Sequence, residues 1–149
     1  MRPSIRAVVL FVAVSWAGTA WAGGGSPVGV WKTIDDKSGQ PRSLVRITMA
    51  DGVLSGTIEK LFPVKDQPDD PTCDKCEGER KGQKVVGMMI LWGLKEDGDE
   101  WSGGRILDPE NGKTYKCYIE VVDGGARLKV RGYLGISLFG RTQYWLKAE

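Results

Sequence analysis

Apolar and polar residues alternate along most of this chain, in short segments parted by glycine, asparagine and aspartate turns. Arg42 to Met49 sets Ser43, Val45, Ile47 and Met49 on one face, with Arg42, Arg46 and Thr48 on the other. A period of two marks a half-buried antiparallel strand. The same reading gives strands over Val28 to Ile34, from Leu54 to Phe62, over Trp101 to Leu107, from Tyr115 to Val121, through Leu128 and Val130, and over Arg141 to Lys147. Val85 to Leu94 is nearly all apolar, and its β-branched residues and two glycines favour a strand over a helix. No helical period persists beyond about two turns, so the class is all-β.

The turns carry their own signals. Asp35 to Gly39, Ala50-Asp51-Gly52, Lys95 to Glu100, Asp108 to Gly112, Asp123-Gly124-Gly125 and the Gly132 to Gly140 reversal join neighbouring strands as hairpins. Gly103-Gly104 predicts a bulge where the sheet curls. Eight hairpin-linked strands predict an up-and-down antiparallel barrel, with a two-sheet β-sandwich as the competing arrangement. Pro63 to Gln83 interrupts the pattern as one long, polar, proline-containing loop of the kind that carries function.

The N-terminus changes the compartment. Arg2 and Arg6 precede an apolar run from Ala7 to Trp16, and Ala20-Trp21-Ala22 supplies the small residues of a cleavage site. Residues 1–22 therefore read as a signal peptide, leaving residues 23–149 as a single domain in the periplasm or outside the cell. The run is too short to span a bilayer, and no cysteine follows it to take a lipid, so no membrane anchor is expected. Removing Arg2 and Arg6 brings the 21 basic residues level with the 19 acidic ones. With no basic run, nucleic-acid binding lacks an electrostatic basis, and nothing in the sequence suggests a membrane-surface patch.

Candidate chemistry is sparse. The chain has no histidine, which removes the commonest acid–base group and metal ligand. Cys73-Asp74-Lys75-Cys76 admits a structural disulfide, a redox-active pair, or half a metal site completed by Cys117 or the carboxylates Asp69, Asp70, Asp74 and Glu77. Cys117 falls on the inward face of its strand, beside Tyr115 and Ile119, as a small buried apolar residue. Asp108 and Glu110 sit in a turn sequence that occupies them with the backbone, and Ser43 and Ser137 have no base to activate them. No catalytic group, metal or cofactor is expected. Met88, Met89, Trp92, Trp101, Arg105 and Tyr115 are of types that line an adaptable apolar pocket or simply fill a barrel. Met89, Trp92, Arg105 and Tyr115 are the candidate ligand contacts.

Two resemblances bear on the fold. Gly29-Val30-Trp31 on the first strand, with Arg141 on the last, resembles the signature of the lipocalin and calycin superfamily. That resemblance implies a structural latch, the Trp31 indole lying under the Arg141 guanidinium and closing one end of the barrel. The stretches Gly29 to Thr33, Asp108 to Tyr115, Arg131 to Gly135 and Phe139 to Thr142 are similar to the bacterial exported family known as domain of unknown function 2147, over about Val28 to Leu146. That family implies a calycin-like barrel and no established activity. The expectation is an exported, non-enzymatic barrel holding a small, largely apolar ligand. A thiol-redox or metal-responsive module, and an interaction protein with a filled barrel and an unknown protein partner, are the rivals.

Overall fold

A computed structural model describes residues 25–148. The predicted signal peptide, residues 1–22, lies outside the described residues. Eight strands follow in order: β1 (Gly29–Ile34), β2 (Pro41–Ala50), β3 (Val53–Leu61), β4 (Met89–Asp97), β5 (Glu100–Asp108), β6 (Lys113–Val122), β7 (Arg127–Tyr133) and β8 (Gly140–Lys147). Each pairs antiparallel with the next, and β8 returns to β1 through Trp31↔Lys147 and Lys32↔Leu146. The sheet is therefore a closed barrel in up-and-down order, and the β-sandwich is excluded.

Local chemistry explains the hairpins. Asp51 and Gly52 both take positive φ, the turn whose twist matches that of the flanking strands. The β1–β2 turn is held by Asp35, whose carboxylate accepts from Lys37 N–H at 3.1 Å, Ser38 N–H at 2.7 Å and the Ser38 hydroxyl at 2.8 Å. These bonds hold the Asp35 carboxyl below its ordinary pKa, the Ser38 N–H contributing most. The expected bulge lies in β5, where the register slips between Trp101 and Gly104.

One boundary differs from the pattern. Val85 to Met88 is not strand; Gly87 has φ +89°, and β4 begins at Met89. Apolar composition alone could not distinguish a buried turn from a strand. The β3–β4 connection consequently spans residues 62–88, with a one-turn 3-10 helix at Gly78–Arg80 and an isolated bridge, Thr72↔Lys84.

The two barrel ends differ. The β2–β3, β4–β5 and β6–β7 turns close one end over Trp31, Ile47, Leu54, Leu94, Ile119 and Leu128, all fully buried. Burial of each large aliphatic contributes about 1.5–3 kcal/mol relative to exposure. The β1–β2, β3–β4, β5–β6 and β7–β8 connections gather at the other end.

Candidate functional site

The second end is open. A cavity of about 1280 Å³ descends from it, larger than the roughly 300–1,000 Å³ of drug-sized sites. Its apolar lining includes Ile58, Val85, Ile90, Ile106, Val130 and Trp145, and the buried Trp145 indole forms part of the floor. Strand parity places these residues: Leu128, Val130 and Gly132 face inward on β7, as do Gln143 and Trp145 on β8.

Polar groups are few and placed above the floor. The Thr33 and Ser43 hydroxyls meet at 2.7 Å across β1 and β2. Trp145 Nε1 donates to Gln143 Oε1 at 3.2 Å, and Gln143 Nε2 donates to Asp36 Oδ2 at 3.2 Å. Arg141 pairs with the same Asp36 carboxylate, and Arg42 pairs with Glu110. These bonds form a polar ladder from the indole on the floor to the rim.

The expected contacts divide. Tyr115 lines the cavity. Met89, Trp92 and Arg105 do not. Trp92 and Arg105 are cross-strand neighbours on the outer face, where the Arg80 guanidinium covers the Trp92 ring at 4.5 Å, and Met89 is solvent-exposed. The cause is a pair of register irregularities in β4, one at Gly93 (φ +75°) and one at Ile90, which turn Trp92 and Met89 outward and leave Ile90, Leu91 and Leu94 buried. Ile106, Val130, Gly132 and Gln143 are among the cavity residues that were not expected as ligand contacts. Extending the alternation from Leu128 and Val130 to Gly132, and back from Trp145 to Gln143, would have found two of them.

The latch is corrected in one residue. Trp31 is fully buried and its Nε1 donates to Pro27 O at 2.8 Å. The cation above it is Lys147, its Nζ 4.6 Å from the ring and 3.4 Å from Val28 O. Arg141 lies about 20 Å further along β8, at roughly 3.3 Å per residue, and stands at the open rim with its side chain 63% exposed. The register Trp31↔Lys147 sets both side chains on one face, so the lysine supplies the cation–π contact expected of the arginine.

Cys73 and Cys76 are joined by a disulfide and both are buried. Cys73 Sγ lies 3.4 Å from Pro109 O. A side chain at Gly112, which has φ +71°, would run into the Lys75 carbonyl. The disulfide turn is thus seated on the β5–β6 turn, fixing one side of the long loop to the barrel rim. Among the described residues no group of three or more histidine, cysteine or acidic side chains is placed to hold a metal. Cys117 is the buried, unpaired cysteine, and burial pushes its thiol up to about 12. Asp108 behaves as a turn residue: its Oδ1 accepts from Glu110 N–H at 2.9 Å, and its main-chain oxygen from Gly112 N–H at 2.8 Å.

A family model described as "Uncharacterized protein conserved in bacteria (DUF2147)" matches residues 29–147. The chain belongs to this family. Among solved structures, a protein of Helicobacter pylori described as "Protein HP1028 from the human pathogen Helicobacter pylori belongs to the lipocalin family" superposes with a TM-score of 0.69. It is 17% identical and the match covers 82% of each chain, so this DUF2147 member shares its lipocalin-like fold. Human Neuropilin-2 is 28% identical over 124 residues, covering 75% of this chain and 13% of that much longer protein. That similarity assigns no activity.

Proposed function

We propose that this protein is an exported carrier that holds a small, largely apolar ligand in the open end of its barrel and performs no chemistry on it. The observation that carries this reading is the cavity itself: an apolar floor around Trp145, Ile90 and Ile106, beneath a rim of hydroxyl, amide and paired charged groups. Apolar walls with a few convergent polar groups suit an amphipathic molecule, its apolar part toward Trp145 and its polar end near Thr33, Ser43 and Gln143. The lipocalin-like fold supports a small-ligand role. Export rests on the N-terminal sequence, and the Cys73–Cys76 disulfide suits an oxidising compartment.

Gly132 supplies the test. It faces the cavity, and a Cβ there would meet Ile106 Cγ2 at 3.5 Å and Tyr115 Cβ at 3.6 Å, both ordinary contacts. Gly132→Leu therefore places a bulky side chain inside the cavity, beside Ile106 and Tyr115, without backbone strain. Native mass spectrometry of protein purified from its own host should show mass above the bare chain for the wild type and the bare mass for Gly132→Leu. Bare mass for both, with no uptake of a fluorescent fatty acid by either, would count against the carrier.

A further inference from the structure

The β7–β8 loop leaves four apolar side chains in solvent: Leu134 at 63% exposure, Ile136 at 60%, Leu138 at 75% and Phe139 at 71%. Contiguous exposed apolar surface of this kind marks a contact site. The loop is held in place. Arg131 donates to Ser137 O at 3.1 and 2.7 Å, to Leu138 O at 3.2 Å and to the Thr142 hydroxyl at 2.9 Å. Lys116 Nζ lies 3.3 Å from Gly135 O, and Phe139 N–H donates to Ile136 O at 3.2 Å. These bonds fix the main chain with Ile136 and Leu138 in solvent and with Leu134 and Phe139 exposed at the mouth of the cavity.

The surrounding charge is predominantly basic. Among the described residues, neither Arg131 nor Lys116 is paired with a carboxylate. Arg80 and Lys113, together with Glu77, line a hollow shared with Leu134. Across the mouth, the β3–β4 loop mixes Asp66, Asp69, Asp70 and Asp74 with Lys65, Lys75, Lys81 and Lys84, and Asp70 pairs with Lys84. The apolar tip thus sits in largely basic surroundings, and the far rim is of mixed charge. The fold assembles this patch from β6, β7 and two loops, so it appears nowhere as a run in the sequence.

We propose that the β7–β8 loop docks the open end of the barrel, tilted onto that side, on an anionic lipid bilayer. Ile136, Leu138 and Phe139 enter the headgroup region, while Arg131, Lys116 and Lys113 face the lipid phosphates. A lipid surface fits better than a protein: the closed barrel offers no free strand edge, and one loop tip falls well short of the roughly 20–30 residues a side of a stable protein interface. Leu134 and Phe139 also line the cavity, so apolar surface continues from the loop tip into it. On the carrier reading, this gives a ligand a path between bilayer and barrel that avoids water.

The test is flotation of the signal-free chain with vesicles of phosphatidylcholine, alone or mixed with phosphatidylglycerol. Ile136 and Leu138 do not line the cavity, so the double variant Ile136→Ser/Leu138→Ser separates docking from uptake. The wild type should float with the mixed vesicles, less with phosphatidylcholine alone, and less as salt rises. The double variant should lose at least about tenfold in vesicle affinity while keeping its melting temperature and its fatty-acid uptake. Gly132→Leu should float like the wild type, so the docking and carrier readings fail separately. Wild type that does not float, or a double variant that floats equally well, would overturn the proposal. So would a concentration-dependent dimer that the double substitution abolishes, because the loop would then be covered by a second copy.

Discussion

Lys147 and Arg141 occupy the same strand and the same face, yet their energetic roles diverge with position. Lys147 lies over a fully buried indole, and its removal should cost about 0.5–1 kcal/mol, the range for an exposed cation–π contact. Arg141→Ala deletes an exposed ion pair and should change stability by less than about 0.5 kcal/mol. Urea unfolding of the two variants checks the assignment; a larger loss for Arg141→Ala would return the latch to the arginine. Cys117 makes a second prediction at this scale. Its folded pKa is raised from 9.0 to about 12, so the thiol's contribution is fully present below pH 9.0 and declines as pH rises toward 12. Unfolding midpoints of wild type and Cys117→Ala should converge over that window, and native alkylation of Cys117 at pH 8 should be slow. Rapid native alkylation would mean the thiol is accessible. The sequence announced Trp31 through its motif and Cys117 through its parity. It did not indicate which last-strand cation reaches Trp31, because that depends on the β1–β8 register, and register is fixed by closure of the whole barrel.

Hairpin chemistry makes most elements legible in the sequence. Period-two alternation, the Asp51-Gly52 turn and the Asp108 to Gly112 turn each state a local preference that the fold keeps. Elements whose parity is interrupted were harder to read. In β4, irregularities at Gly93 and Ile90 turn Trp92 and Met89 outward, and Arg105, the β5 partner of Trp92, falls outside the cavity with them. The β3–β4 loop is legible as a break in the pattern, but its order is not, because that order comes from the Thr72↔Lys84 bridge, the Cys73–Cys76 disulfide and contact with the distant β5–β6 turn. Gly112→Ala tests that contact. The new Cβ would collide with Lys75 at a φ that disfavours a side chain, costing about 1–3 kcal/mol and loosening residues 62–88. Hydrogen exchange should show the loss of protection concentrated in that loop; unchanged protection there would show that the disulfide turn holds the loop without the β5–β6 turn.

At the scale of the whole molecule, one end is sealed by large buried side chains and the other remains open above Trp145. Closure of eight strands was legible as pattern, since each strand pairs with its sequence neighbour. Whether the interior is filled or open was not, because it depends on small inward residues such as Gly132 and on how far the closed-end side chains rise along the axis. The exposed apolar loop was hidden for a related reason: the Gly132 to Gly140 stretch has the composition of a reversal, and only Arg131 and Lys116, from β7 and β6, hold its apolar side chains outward. The central claim is that the open end takes up an apolar ligand. Titration of a fluorescent fatty acid into wild type and Gly132→Leu, each shown to be folded, tests it most directly. Saturable uptake by the wild type, lost by about tenfold or more when the leucine occupies the cavity, is the predicted result. Absence of uptake by the folded wild type, or equal uptake by both proteins, would contradict it.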